Sequence, residues 1–206
     1  MQANFVFKHI LIDKYILERR INTFMDFRYT LYQVALLNQL RMLWEQHVHW
    51  TRSFIISTAA NLGDLDPTTK RLLRNPSDFA ELFRQFYGDE IADHFKDLFT
   101  QHLLIAADLV NAAKNNDTKT ADEARKKWYA NADEIAAFLA QINPYWDESK
   151  WRELLYSHLQ MTEKEAVLWL AGKYAEDIAI YDQIEAEALN MADYMFYGIA
   201  NQFSVF

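Results

Sequence analysis

The sequence predicts an all-α protein: an antiparallel four-helix bundle with an additional N-terminal amphipathic helix and a short helix in the first long connection. Only four glycines and three prolines interrupt its 206 residues. Pro67, Pro76 and Pro144 fall where the helical spacing of apolar residues stops. Because 51% of the residues are hydrophobic and 15% aromatic, the chain can form one sizeable core. We therefore expect a single domain over residues 1–206, with residues 1–22 as an accessory helix and 23–206 as the bundle.

The first helices are predicted from apolar residues spaced three and four apart. An amphipathic helix covers residues 5–21, and the first bundle helix follows from about residue 22 to residue 60. Thr23 and Asp26 form a possible capping box between them. Asn61 and Gly63 predict the end of the bundle helix, since both residues tolerate the left-handed conformation.

Glycine and proline define the next boundaries. Residues 63–75 are expected to be the longest irregular connection. Ser77, directly after Pro76, opens a short helix that ends at Gly88. The second bundle helix starts near Asp89 and ends around residues 115–117.

Capping signals predict the last two helices. Thr120 and Glu123 form a Thr-x-x-Glu capping box at the start of the third bundle helix, which ends at residues 143–144. The fourth opens at Asp147 and runs almost to the C-terminus, with an allowance for a kink near Met161.

The first and last helices are predicted to extend beyond the two shorter ones, which are about 40 Å long at 1.5 Å per residue. The extensions carry apolar side chains that must be covered. Either the extensions fold back on the chain or a second copy of the chain covers them. The second alternative predicts a homodimer. The apolar residues concerned are Phe5, Phe7, Ile10, Tyr15, Ile16, Ile178, Tyr181, Met191, Met195 and Ile199.

A polar residue interrupts the apolar face of each bundle helix. These residues are His47, His102 and His158 on the first, second and fourth helices and Asn131 on the third. In an up-down-up-down bundle they lie within about one turn, roughly 5 Å, of the same depth. Helix axes are typically about 8–10 Å apart, so inward-pointing imidazoles are expected to converge.

Three converging imidazoles suit a transition metal such as Fe, Zn, Cu or Ni, with Glu165 or Asp108 completing the ligands. If the protein is an enzyme, a metal-bound water acting on a small substrate is the expected chemistry. The alternative is a non-catalytic structural or interaction protein whose polar layer sets helix register. The sequence has no Glu-x-x-His or His-Glu-x-x-His motif to decide between them.

Composition excludes several classes of protein. The net charge is −8 and basic residues are dispersed, which argues against nucleic-acid binding. The absence of cysteine excludes disulfides and thiolate chemistry. No apolar run reaches the roughly 18 residues of a membrane span, and charges at Lys8, Asp13 and Lys14 interrupt any secretory leader. We expect a cytoplasmic protein whose basic N-terminal segment packs on the acidic body rather than on a membrane surface.

Four phrases carry a family resemblance, at residues 47–57 (HVHWTRSFIIS), 101–103, 127–135 and 157–162. They resemble a small family of uncharacterised bacterial all-helical proteins with an HVxWTRSFIIS motif, over roughly residues 38–203. Some members carry the label acetylglutamate kinase, which implies an ATP-dependent phosphoryl transfer to an amino-acid carboxylate. The resemblance implies no particular catalytic residues.

Overall fold

The computed structural model describes residues 30–203, which contain six helices and no strand. The prediction of an all-α protein is confirmed for this part of the chain. The helices are α1 (Leu31–Ala60), α2 (Leu65–Leu72), α3 (Asn75–Lys114), α4 (Thr118–Ile142), α5 (Glu148–Leu170) and α6 (Tyr174–Gln202).

Helix α1 begins and ends with strong capping signals. The Thr30 hydroxyl accepts a hydrogen bond from the Gln33 backbone N–H (3.1 Å), and the Gln33 side chain accepts one from the Thr30 N–H (2.7 Å). At the other end Asn61 is left-handed (φ 55°), so the predicted end is confirmed. The predicted accessory helix, the start of the first bundle helix and its capping box fall within residues 1–29, outside the described residues.

The first long connection contains more helix than predicted. Helix α2 lies inside residues 63–75, which were expected to be irregular, and Leu72 buries its side chain against α1 and α3. The prediction of an irregular loop was wrong because tertiary packing stabilises a helix that is too short to be stable alone. Helix α3 begins at Asn75, two residues before the predicted Ser77.

Gly88 divides α3 into a first half, residues 75–87, and a second half, residues 89–114. Its φ of 80° and ψ of 178° interrupt the helix, a conformation that residues with a Cβ avoid. The ring of Phe79 contacts Phe99 (centroids 5.3 Å apart), and Phe83 stacks on Phe95 (4.4 Å). The later residue of the first half, Phe83, therefore contacts the earlier residue of the second half, Phe95. This order of contacts shows that the two halves are antiparallel.

The second half of α3 runs in the same direction as α1. The rings of His47 and His102 lie side by side, with centroids 6.4 Å apart. Further along both helices, Lys114 Nζ donates to the Thr58 carbonyl at 2.6 Å. The predicted first and second bundle helices were expected to be antiparallel. They are parallel because residues 62–87 first return the chain to the beginning of α1.

The start of α4 differs slightly from its prediction and the start of α5 does not. The Asp117 carboxylate accepts a hydrogen bond from the Thr120 backbone N–H (3.1 Å), so Asp117, not Thr120, caps α4. The Asp147 carboxylate accepts from the Lys150 N–H (2.9 Å), which confirms the predicted start of α5. Helix α5 passes through Met161 without a kink.

The predicted fourth helix is two helices. The chain leaves α5 at Leu170, turns through left-handed Gly172 (φ 71°) and begins α6 at Tyr174. A single helix was wrong because glycine supplies the left-handed residue that ends α5 in a reversal.

Helix α6 folds back between α1 and α5, so the C-terminal extension is covered by its own chain. Met191, Met195 and Ile199 are fully buried there, while Ile178 remains 57% exposed. Of the two predicted outcomes, folding back holds for this end. The N-terminal extension lies outside the described residues.

The core of residues 30–203 consists of two apolar clusters. The larger includes Leu43, Phe99 and Leu154, and the smaller includes Phe54 and Leu103 at the end where α1 and α5 finish. None of the helices in this range combines the length and apolar composition needed to cross a membrane.

Candidate functional site

Three histidines from three helices meet in the interior. The ring of His47 lies 5.4 Å from that of His158 and 6.4 Å from that of His102, measured between centroids. None of the three is more than 2% exposed. Together with Asn131 they form what we call the histidine layer.

His102 has both ring nitrogens in hydrogen bonds. Its Nε2 accepts from the Trp128 indole N–H (3.2 Å), because an indole nitrogen can only donate. Its Nδ1 therefore carries the proton and donates to Asn131 Oδ1 (2.9 Å), while Asn131 Nδ2 donates to the Leu98 carbonyl (3.1 Å). His102 is thus neutral and fully bonded.

His47 and His158 each keep a ring nitrogen unpaired: neither Nδ1 has a hydrogen-bond partner within residues 30–203. Burial is the main reason that the pKa of His47 lies well below its usual value, and the neighbouring His158 and His102 lower it further. A contact with Asn75 acts in the opposite direction. Burial, followed by His102, lowers the pKa of His158 to about 3. Burial lowers the pKa of His102 to about 4, with its bond to Asn131 acting in the opposite direction. The layer is uncharged at neutral pH.

The two carboxylates predicted to join the histidines lie elsewhere. Glu165 is buried and accepts a hydrogen bond from Arg52 Nη1 at 2.6 Å. Asp108 is exposed and lines a surface groove with Lys127. Across the described part of the chain, no three histidine, aspartate or glutamate side chains are arranged to hold one metal ion.

Arg52 joins α1, α5 and α6 through a buried charge cluster. Besides Glu165, it binds both carboxylate oxygens of Asp177, at 3.2 and 2.5 Å, and its guanidinium lies 4.6 Å from the centre of the Tyr181 ring. Burial raises the pKa of Glu165 to about 7, although its bond with Arg52 acts to lower it. Sequence reasoning missed Asp177 because no local spacing relates it to Arg52.

A cavity of about 80 Å³ lies beside the histidine layer, lined by residues of α1, α3, α4 and α5 and by Leu72 of α2. Thr51 and Thr162 line it, one helical turn beyond His47 and His158 respectively. Trp128, the partner of His102, forms part of the wall. The other lining residues include Phe54, Ile55, Leu72, Leu103, Ala106, Ala107, Leu109, Val110, Ala113, Ala121 and Ala166.

The cavity has polar atoms at two places. The hydroxyls of Thr51 and Thr162 are buried, and neither has a hydrogen-bond partner in the described structure. At the other place Arg125 Nε donates to both oxygens of Glu163 (2.8 and 3.0 Å) beside Val167, which is 52% exposed. The cavity therefore reaches the surface at a rim between α4 and α5.

Sequence reasoning missed this cavity because its lining has the same apolar spacing as a filled core. The available signal was the number of alanines at inward positions of neighbouring helices. Ala106, Ala107, Ala113, Ala121 and Ala166 all line it. Small side chains at facing positions leave space unless a bulky residue compensates.

A search of protein-family models, of curated proteins and of solved structures found no match to this chain. The family resemblance and the kinase activity that it implies therefore stay predictions.

Proposed function

We propose that this protein binds a small, mainly apolar molecule in the cavity beside the histidine layer. The observation that carries the proposal is the pair of buried, unpaired hydroxyls of Thr51 and Thr162 on the wall of a mainly apolar cavity. Nearly all buried polar atoms in native proteins have partners, so an unpaired buried hydroxyl calls for an explanation, and a bound molecule is one. Apolar walls with a few polar groups are typical of small-molecule sites.

The histidine layer supports the cavity in this proposal. The bond from Trp128 to His102 fixes the orientation of an indole ring that forms part of the wall. The bonds of Asn131 to His102 and to the Leu98 carbonyl tie α4 to α3 at the same level. These hydrogen bonds of His102 and Asn131 support one packing arrangement of α3 and α4, which is the role that the register interpretation proposes.

The size of the cavity limits what it can enclose. An apolar cavity of roughly 150 Å³ binds benzene or xenon, and this one measures about 80 Å³. It therefore suits a molecule of a few heavy atoms, or the end of a longer chain that leaves through the rim beside Val167.

Xenon tests the proposal, because it binds apolar cavities without needing a polar partner. We expect saturable methyl shifts of Leu103, Val110 and Val167 in NMR spectra of the full chain under xenon pressure. Ala166→Leu adds three carbon atoms to the cavity wall and should abolish them. Ala130→Leu, at an exposed position of α4, is the control and should leave them intact. Shifts that are absent, or that persist in Ala166→Leu, would contradict the proposal.

Transition-metal binding is a second candidate, favoured by the unpaired Nδ1 atoms of His47 and His158 on neighbouring rings. Transition metals take three or four protein ligands, so His102 would have to release Trp128 or Asn131 to join them. Metal analysis of protein purified without an affinity tag, repeated on His47→Ala and His158→Ala, tests this candidate. A substoichiometric metal content that neither substitution changes would reject it.

The other properties that we propose for this protein were predicted from its sequence. We propose one helical-bundle domain, cytoplasmic and homodimeric, that does not bind nucleic acid; the net charge of −8 supports the last point. Light scattering tests the homodimer, which a monomer at micromolar concentration would exclude. Titration calorimetry with ATP tests the kinase label, which an absence of binding would reject.

A further inference from the structure

We infer that the ligand is an uncharged molecule with a hydroxyl or carbonyl group at the end of a short apolar chain, and that this group binds Thr51 and Thr162. The inference rests on the proposed function and adds the chemical class of the ligand. It depends on which polar atoms the cavity presents and where they lie.

The two threonine hydroxyls form the polar part of the inner wall. Thr51 on α1 and Thr162 on α5 are both buried, and neither hydroxyl bonds to the carbonyl one turn earlier in its helix. Each hydroxyl can donate one hydrogen bond and accept others. A buried hydroxyl left without a partner destabilises the folded protein. A ligand atom that accepts or donates at this position therefore gains an interaction that a hydrocarbon lacks.

The electrostatics of the cavity exclude a charged group at the inner end. The histidines one turn away are neutral, so they offer no charge to a carboxylate or an ammonium. Placing an unpaired ion in an apolar environment is far more costly than placing a hydroxyl there. An ionised ligand group would therefore stay in water.

The rim does not favour an anionic ligand either. Arg125 is the cationic residue that lines the cavity, and it already binds Glu163 and Asp122. Two carboxylates and one guanidinium leave one excess negative charge there, which repels a carboxylate or phosphate on the ligand. A neutral polar group at the threonines with an apolar chain towards the rim satisfies both ends.

Three probes of similar chain length separate these possibilities: 1-butanol, n-pentane and butyrate. Their affinities for the full chain are measured at neutral pH by NMR titration of the cavity methyl groups. We expect 1-butanol to bind in the cavity and butyrate to bind at least tenfold more weakly.

The double variant Thr51→Val/Thr162→Val removes both hydroxyls while conserving shape. We expect the affinity for 1-butanol relative to that for n-pentane to fall about fivefold or more, the equivalent of one hydrogen bond. Thr58→Val is the matched control, because the Thr58 hydroxyl is also buried and unpaired but does not line the cavity. The control should leave the ratio unchanged. Since Thr→Val removes an unpaired hydroxyl, both variants should fold.

Each outcome has a defined meaning. An unchanged ratio in the double variant, or butyrate that binds as tightly as 1-butanol, would overturn the inference, while xenon binding would still support the proposed function. If neither xenon nor any of the three probes binds, the proposed function fails and the inference fails with it.

Discussion

Trp128 and Trp151 are both buried, yet their indole N–H groups differ in environment. The Trp128 N–H donates to His102, whereas that of Trp151 has no partner within residues 30–203. The two residues lose the same atoms on substitution by phenylalanine, but only one loses a hydrogen bond. They therefore form a matched pair for measuring the contribution of the histidine layer.

We predict that Trp128→Phe lowers the free energy of unfolding by about 1–3 kcal/mol more than Trp151→Phe, because it leaves His102 Nε2 buried without a donor. Denaturant unfolding of the two variants measures the difference. Equal losses would mean that the bond between Trp128 and His102 contributes nothing to stability.

The buried histidines make stability depend on pH. Their pKa values in the folded chain lie below the unfolded value of 6.5, at about 4 for His102 and about 3 for His158. Between about pH 4 and 6.5 the unfolded chain therefore binds protons that the folded chain does not. The free energy of unfolding should fall as the pH falls through this range. Glu165 acts in the opposite direction, since its raised pKa favours the folded state below about 7.

The slope of unfolding free energy against pH is proportional to the number of protons that the chain takes up on unfolding. We predict that His158→Gln reduces this number by about one in the same pH range. Denaturant unfolding at several pH values gives the slope for the wild type and the variant. The wild type and the variant share all other titratable groups, so the comparison uses the slope and not the absolute stability. Identical slopes would show that His158 is already protonated in the folded protein.

At the residue scale, the sequence predicted the three histidines and Asn131 as one layer but not the hydrogen bonds within it. His47, His102 and His158 each interrupt the apolar spacing of their helix. The bond from Trp128 and the separation of Glu165 from the imidazoles depend on side-chain orientation. A position on a helix face does not determine that orientation.

Gly88 is the element-scale feature on which the path of the chain depends. Its positive φ lets residues 75–87 fold back on residues 89–114. Gly63 has no positive φ and open space around its Cα, so it provides the control.

We predict that Gly88→Ala lowers the free energy of unfolding by about 1–3 kcal/mol, since alanine is strained in that backbone conformation. Gly63→Ala should leave stability unchanged or raise it by about 0.4–1 kcal/mol through the unfolded state. Thermal or denaturant unfolding compares the two. A Gly88→Ala variant as stable as Gly63→Ala would mean that the reversal carries no strain.

Local capping signals explain which element boundaries were predictable. Asn61, Gly88 and Asp147 mark real boundaries because cap and glycine geometry depends on a few adjacent residues. Helix α2 was missed because its stability comes from packing. The division of the predicted fourth helix at Gly172 was missed because glycine within an apolar pattern is compatible with either a continuous helix or a turn.

At the scale of the whole molecule, two ion pairs connect α1 to α6. Arg52 with Asp177 is buried, whereas Arg41 with Asp193 is a similar two-oxygen pair at the surface, with its side chains 43% and 46% exposed. The two pairs differ in their access to water, and Arg52 also binds Glu165. Buried pairs are costly to break because a charge remains without solvent, while exposed pairs contribute little.

We predict that Asp177→Asn lowers the free energy of unfolding by about 1.5–3 kcal/mol, because it weakens buried hydrogen bonds to a charged group while Arg52 keeps Glu165 as a partner. Asp193→Asn should lower it by less than about 1 kcal/mol. Denaturant unfolding of both variants tests the contrast. Similar losses would indicate that the position of α6 does not depend on the buried cluster.

The depth of the histidine layer was predicted, but the direction of α1 relative to its neighbours was not. Helix α1 is parallel to residues 89–114 and, because His47 faces His158 and Arg52 binds Glu165, also to α5. His47 lies near the middle of α1, as His102 does in residues 89–114 and His158 does in α5. Reversing a helix about its centre leaves a central residue at almost the same depth. The layer therefore forms in either arrangement, but the neighbours of each histidine change.

The sequence by itself determined the helical class, most helix ends and the level of the polar layer, because these follow from apolar spacing, glycine and proline content and local caps. Only the tertiary structure decided that the chain reverses at Gly88, that α6 folds back, and that a cavity forms beside Thr51 and Thr162. Those features depend on contacts between residues far apart in the chain. Helical periodicity identifies the buried face of a helix, but it does not identify the face that packs against it.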